Sequence, residues 1–217
     1  VVEEDLEVAR NLRNRGYERV VLVGNSGGAA IVPYYQAQAV HPTISAPPGG
    51  GPDLTQAGLA PADLIVMFNA HQSRARMSAE WLDPAITDEL RPFERDASLD
   101  MYDPRNGPPY SPEFITRYRA AQLARNRRIT AWAEEQLALI TEPGHFPEGL
   151  SDLSFTVHGT VADLRLLDGS IDPSEREVGM TGWGHPSVAN LLPAGVGRSS
   201  TLRSWLNQWS VDRSLGD

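Results

Sequence analysis

Two side chains are missing altogether from this chain of 217 residues: it has no cysteine and no lysine. Without cysteine there is no disulfide, no thiolate nucleophile and no cysteine metal ligand. Without lysine there is no Schiff-base chemistry and no P-loop lysine, and all 19 basic residues are arginine. The 28 acidic residues leave a net charge of −9. That balance gives nucleic-acid binding no electrostatic support and disfavours an anionic membrane surface. No apolar run approaches the length of a membrane span, and the chain does not open on the basic-then-apolar pattern of a secretory signal. The absence of cysteine fits the cytoplasm, which is the expected compartment. No two of the five histidines share ligand spacing, so neither a metal nor another cofactor is expected.

What remains is an ordinary globular composition, 41% hydrophobic and 22% charged, enough for one sizeable core. Val2, Leu6, Ala9 and Leu12 recur at the helical period, and Gly16 follows as a stop. Arg19–Val23 is a short apolar run of the kind that forms a strand buried on both faces of a parallel sheet. Gly24 to Gly28 then makes a turn, and Ala29–Val40 reads as a helix with Pro33 inside it, ended by His41-Pro42. Residues 42–61, with Pro47-Pro48-Gly49-Gly50-Gly51-Pro52, read as a mobile loop. Asp63–Ala70 reads as a second buried strand, the neighbour of the first. Helix, buried strand, turn, helix and strand define an α/β unit.

The strand–helix alternation is lost beyond residue 72. Ser111-Pro112 supplies a capping hydroxyl and an N1 proline for a helix running to Ile140. Phe114, Tyr118, Ala121, Ile129, Trp132, Leu137 and Ile140 are its expected buried side, while Arg117, Arg119, Arg125, Arg127 and Arg128 read as a solvated face. Leu153–Val157 is strand-like, and Thr201–Trp209 reads as a short amphipathic helix anchored by Trp205 and Trp209. Asp83, Asp88 and Glu89 form a carboxylate group, but Asp83-Pro84 reads as a helix start, and nothing else supports sugar chemistry.

The chemistry-bearing pattern is Gly24-Asn25-Ser26-Gly27-Gly28, a G-x-S-x-G sequence directly after a buried strand and directly before a helix. That arrangement projects a serine from a sharp, strained turn at the carboxyl end of a sheet. Side chains two positions either side would collide, which accounts for Gly24 and Gly28. The amide of Gly27 can donate to an oxyanion. A Rossmann phosphate turn fits poorly: the glycines do not match G-x-G-x-x-G, and no acidic residue ends a strand about twenty residues later.

The segment Gly16-Tyr17-Glu18-Arg19-Val20-Val21-Leu22-Val23-Gly24-Asn25-Ser26-Gly27-Gly28 resembles the helix–strand–elbow of α/β-hydrolase-fold serine hydrolases, and Asp63–Ala70 resembles the next strand of that sheet. The resemblance covers about the first third of the chain. It implies an α/β fold with part of the hydrolase parallel sheet and nucleophile elbow in residues 1–75, and a mainly helical cap or lid in 76–217. It implies a serine hydrolase acting on an ester, amide or related acyl substrate, a small molecule, with Ser26 as nucleophile and Gly27 N–H at the oxyanion. The alternative is a non-catalytic binding protein of the same fold that keeps the turn for packing.

The family's chain order is Ser, then Asp or Glu, then His. His41 precedes any acid and reads as a helix-end residue. His71 ends the second strand on the edge that bears Ser26, and reads as structural. Pro143-Gly144-His145-Phe146-Pro147 resembles a hydrolase histidine loop, yet a helix precedes it where a strand belongs. His158-Gly159-Thr160-Val161-Ala162-Asp163 resembles the loop that delivers the acid, which would make Asp163 the acid and His185 the base. The preferred expectation places both beyond Asp217, with these residues an internal fragment. Phe114, Tyr118, Trp132, Trp205 and Trp209 are available to a pocket, but such spacings serve cores more often and carry no assigned role.

Overall fold

The computed structural model describes residues 2–70, 73–159 and 198–212. Helix α1 (Val2–Asn14) leads to strand β1 (Val21–Asn25), helix α2 (Gly27–Val40) and strand β2 (Leu64–Phe68). Helix α3 (Arg74–Trp81) and the long α4 (Pro112–Thr141) follow. Strands β3 (Ser154–Val157) and β4 (Arg198–Thr201) come next, then a short helix α5 (Leu202–Ser204) that continues into a π-helical turn over Trp205–Trp209. There are two small sheets among the described residues, a parallel β1–β2 pair and an antiparallel β3–β4 pair. This mixture of helices with a parallel pair is compatible with the α/β class. Among the described residues no helix is long and apolar enough to cross a membrane.

Local chemistry sets the element ends. Gly16 has φ +88°; its N–H donates to Arg13 O, and Tyr17 N–H donates to Leu12 O, the paired bonds that close a helix through a left-handed residue. Ser111 Oγ accepts from Phe114 N at 3.1 Å and starts α4 beside its N-terminal proline. β1 runs two residues further than the apolar run, because Gly24 and Asn25 stay in register with Met67 and Phe68.

Among the described residues, the parallel pair is covered on one side only. Leu22 packs with Ala9, Leu12, Val20, Tyr35 and Ala62, a cluster formed with α1 and α2. On the opposite face Val21, Val23, Leu64 and Phe68 are 48%, 62%, 56% and 54% exposed. The expectation of a strand buried on both faces is therefore corrected: among the described residues, nothing lies over that second face.

A second core forms around α4. Leu82, Ile129, Ala133, Val157, Leu202, Trp205 and Leu206 make one cluster; Met101, Phe114 and Tyr118 make another. The buried side of α4 departs from expectation in kind. Trp132 is exposed, whereas Gln122, Arg125, Asn126 and Thr130 are buried. Each of these polar groups meets the chain that lies over the helix. Gln122 donates to Glu80 O and Leu82 O, and Asn126 donates to Trp209 O and accepts from Val211 N. Trp205 Nε1 donates to Thr130 Oγ1.

Arg125, expected on a solvated face, is fully buried. Its five N–H groups are all engaged: Nε and Nη2 clasp Glu89 at 2.7 Å each, Nη1 reaches Asp83 O and Gly159 O, and Nη2 also reaches His158 O. Asp83 does not start a helix. It is buried, accepts from Ala85 N in a local turn, and pairs with Arg95 at 2.6 Å. The carboxylate group thus resolves into separate arginine partners, with Asp88 on Arg91 and Glu89 on Arg125.

The Pro/Gly-rich stretch is pinned rather than loose. Gly49 N donates to Asn207 Oδ1 at 2.7 Å, and Arg203 Nη1 donates to Gly49 O at 2.7 Å. A side chain at Gly49 would run into Arg203 O.

Two stability outcomes follow from these contacts. Arg125→Met would leave the Glu89 carboxylate without its cation and the His158 carbonyl without the guanidinium N–H, while Asp83 O and Gly159 O keep only their backbone donors. Denaturant titration is therefore expected to show a loss of about 3–5 kcal/mol, with Arg125→Lys recovering only part. Asp63 Oδ2 accepts from Val20 N and Arg13 Nη2, both at 2.7 Å. The Val20 N–H first, then Arg13, hold its carboxyl below the usual range. A depressed folded-state pKa contributes stability above the unfolded value of about 3.9 that is lost as pH falls through the folded one. The stability gap between wild type and Asp63→Asn should therefore be widest above pH ~5 and close under more acidic conditions. A gap that is flat with pH would refute this.

Candidate active site at the β1–α2 turn

Ser26 sits between the end of β1 and the first residue of α2. Its backbone is at φ 53°, ψ −120°, a region sparsely populated by residues with a side chain. Two backbone bonds fix it there: Ser26 N donates to Phe68 O at 2.9 Å, and Ala29 N donates to Ser26 O at 3.0 Å. The parallel pairing of β1 with β2 therefore continues to the serine itself. Its hydroxyl does not cap α2, and the residue is exposed. Strain of this kind costs about 1–3 kcal/mol and persists only where its surroundings over-determine it.

The two glycines of the pattern differ. A Cβ on Gly24 would lie 2.6 Å from Gly28 O and 2.7 Å from Ala29 Cα, both backbone atoms that cannot yield. At Gly28 a Cβ would meet nothing within 4 Å among the described residues. The steric expectation holds for Gly24 and is corrected for Gly28. The first side turns beneath the helix; the second faces open space.

Around Ser26 stand residues from three segments. Asn69, at φ 49° just past β2, donates from Nδ2 to Asn25 Oδ1 at 3.4 Å. Arg74, at the start of α3, lays its guanidinium over Gly27: a Cβ built there would be 2.5 Å from Nη2. From the other side Gln208 Oε1 accepts from Arg74 Nη1, and the Trp209 ring lies 5.9 Å from Arg74 Cζ. Sequence reading passed over Arg74. The signal was its position, six residues after the strand that pairs with β1, on the edge where that strand ends.

The histidines are dispersed. His41 closes α2 and is exposed. His145 pairs with Glu142 at 3.2 Å at the end of α4 and is 51% exposed. His158 follows β3, lends its carbonyl to Arg125 and tilts against Phe93 with ring centroids 6.3 Å apart. β3 itself belongs to the antiparallel pair with β4, not to the sheet that carries Ser26. His71, Asp163 and His185 lie outside the described residues. Among the described residues, no group of three or more histidine, aspartate or glutamate side chains converges as a metal site.

A groove of about 360 Å³ lies elsewhere, between α3, α4 and the chain after Trp209, with Arg76, Arg119, Arg127, Glu80 and Asp212 on its walls. Its residues do not include those around Ser26. Of the aromatic residues available to a pocket, Phe114, Tyr118 and Trp205 are core. The sequence matches no known family model, no curated protein and no solved structure.

Gly24→Ala is expected to lower the unfolding midpoint by an amount equivalent to about 1–3 kcal/mol, since backbone must move. Gly28→Ala should be neutral or stabilising by up to about 1 kcal/mol, as alanine favours the helix. Equal destabilisation by both would show that the turn is not built as described.

Proposed function

We propose that this chain carries the nucleophile of an α/β-hydrolase-fold serine hydrolase acting on an ester, amide or related acyl substrate. In this reading residues 1–75 hold part of the hydrolase core, and residues 76–217 form a cap. Ser26 Oγ attacks the acyl carbon while its proton passes to a general base. The oxyanion of the tetrahedral intermediate takes a hydrogen bond from Gly27 N–H at the start of α2. The alcohol or amine leaves with a proton, and water then releases the acyl group from the serine.

The observation that carries this reading is the strained backbone of Ser26 at a strand–helix junction. A turn kept for packing alone has no use for a non-glycine residue at φ 53°, where glycine would remove the cost. The strain has a use if it aims a hydroxyl outward from the sheet end. In this reading Asp163 and His185 are the candidate acid and base within the given residues, and both lie outside the described ones.

The test is covalent. A fluorophosphonate probe applied to the full-length protein should label Ser26, and Ser26→Ala should abolish labelling. Ser26→Gly should also abolish labelling while being at least as stable as wild type in thermal melts, because the strain is relieved. A complete polypeptide that takes up no probe would remove the hydrolase reading.

A further inference from the structure

Among the described residues, the Arg74 guanidinium lies over the residue after Ser26 and is held by Gln208 and Trp209. We propose that Arg74 is a specificity-determining residue that selects acyl substrates bearing a carboxylate a few bonds from the reacting carbonyl, such as monoesters or monoamides of short dicarboxylic acids. This rests on Ser26 being the nucleophile.

Placement comes first. β2 ends at Phe68, whose carbonyl accepts the Ser26 N–H, and α3 begins six residues later with Arg74. Ser73 caps that helix by accepting from Arg76 N at 3.2 Å, which fixes the direction in which Arg74 departs. The side chain then crosses to Gly27. In this position it fits because residue 27 lacks a Cβ, which would lie 2.5 Å from Nη2 and 3.3 Å from Cζ and would displace the guanidinium. With consecutive Cα atoms 3.8 Å apart, Nη2 lies within about 8 Å of the Ser26 Cα. A carboxylate separated from its ester carbonyl by two or three methylenes spans that gap.

Orientation comes second. Arg74 is gripped from the side away from the turn. Nη1 donates to the neutral amide of Gln208, and the guanidinium carbon lies over the Trp209 ring, 5.9 Å from its centroid, within cation–π range. Gln208 is itself tied to Ser204 Oγ at 3.4 Å. The long side chain is thus positioned before any ligand arrives, which lowers the entropy lost on binding.

Charge comes third. The buried arginines of this protein are neutralised: Arg95 pairs with Asp83 and Asp100, and Arg125 clasps Glu89. Among the described residues Arg74 has no carboxylate partner, and its Nη2 edge has no acceptor. Its one hydrogen-bond partner, Gln208, is neutral. A guanidinium edge matches a carboxylate in geometry as well as charge. A purely transient oxyanion already has the Gly27 N–H, and a cation serving only that role would act alike on every acyl substrate. The two roles therefore separate by experiment.

The experiment compares mono-p-nitrophenyl glutarate with p-nitrophenyl valerate, esters of similar length with and without the distal charge, on the complete polypeptide. Wild type should favour the glutarate ester in kcat/KM. Arg74→Gln should lower that preference about 10- to 100-fold, with the valerate rate within about threefold of wild type. Arg74→Lys should restore part of the preference, and added salt should erode it. Equal loss on both esters, or no preference in wild type, overturns the proposal.

A second arm needs no turnover. Titration calorimetry of monomethyl glutarate into Ser26→Ala should show binding that disappears in Ser26→Ala/Arg74→Gln; no binding to the first variant also overturns the proposal. Binding that depends on Arg74 in a protein whose Ser26 takes no fluorophosphonate would overturn the hydrolase reading and, with it, substrate selection by Arg74, leaving only a carboxylate-binding arginine. Labelling of Ser26 with no dependence of the ester preference on Arg74 would overturn this proposal and leave the hydrolase reading standing.

Discussion

The Arg125 guanidinium is saturated inside the protein by one carboxylate and three backbone carbonyls. A buried cation is tolerable only when every donor finds an acceptor and the charge finds a counter-charge. Meeting that condition draws three separate stretches of chain onto one face of α4: the turn at Asp83, the segment at Glu89, and the end of β3 at His158–Gly159. Gly159 is held closely enough that a Cβ on it would lie 2.7 Å from Ile86 Cδ1. The helix on which α3, β3 and the Trp205 segment rest is therefore organised by a polar group, with the apolar clusters filling in around it.

This also marks where the sequence was readable. The helix start at Ser111-Pro112, the stop at Gly16 and the two parallel strands were legible because each depends on a local rule of capping, left-handed backbone or apolar run. The face of α4 was not legible. Gln122, Arg125, Asn126 and Thr130 lie at helical spacing with Phe114, Tyr118 and Ile129, yet their polarity reads as solvent-facing. They are inside because distant loops bring carbonyls and amides to meet them, and no local pattern announces those partners. The open face of Val21 and Val23 failed for the opposite reason: an apolar run signals burial without saying what supplies the cover.

The candidate site shows the same division. Ser26 and Gly24 were legible from a short pattern whose mechanics are backbone geometry. Arg74, Gln208 and Trp209 were not, since they come from two segments 134 residues apart that meet only in the fold. The turn is rigid through its bonds to Phe68 and Ala29, and the arginine is rigid through its grip by Gln208. Both partners of a future ligand would thus be fixed before it arrives, one by β1–β2 pairing and the other by the chain that closes over α4.

The close approach of Arg74 to Gly27 ties two positions that are 47 residues apart in sequence into one steric unit. A long side chain at position 74 can lie over the turn while position 27 lacks a Cβ, and a Cβ there displaces its tip. Over evolutionary time such a pair is expected to change together. Chains of this lineage that acquire alanine or a larger residue at the position of Gly27 should carry a shorter or neutral residue in place of Arg74, so that a preference for acidic substrates would be written into the record as covariation between a turn and the helix that follows the next strand.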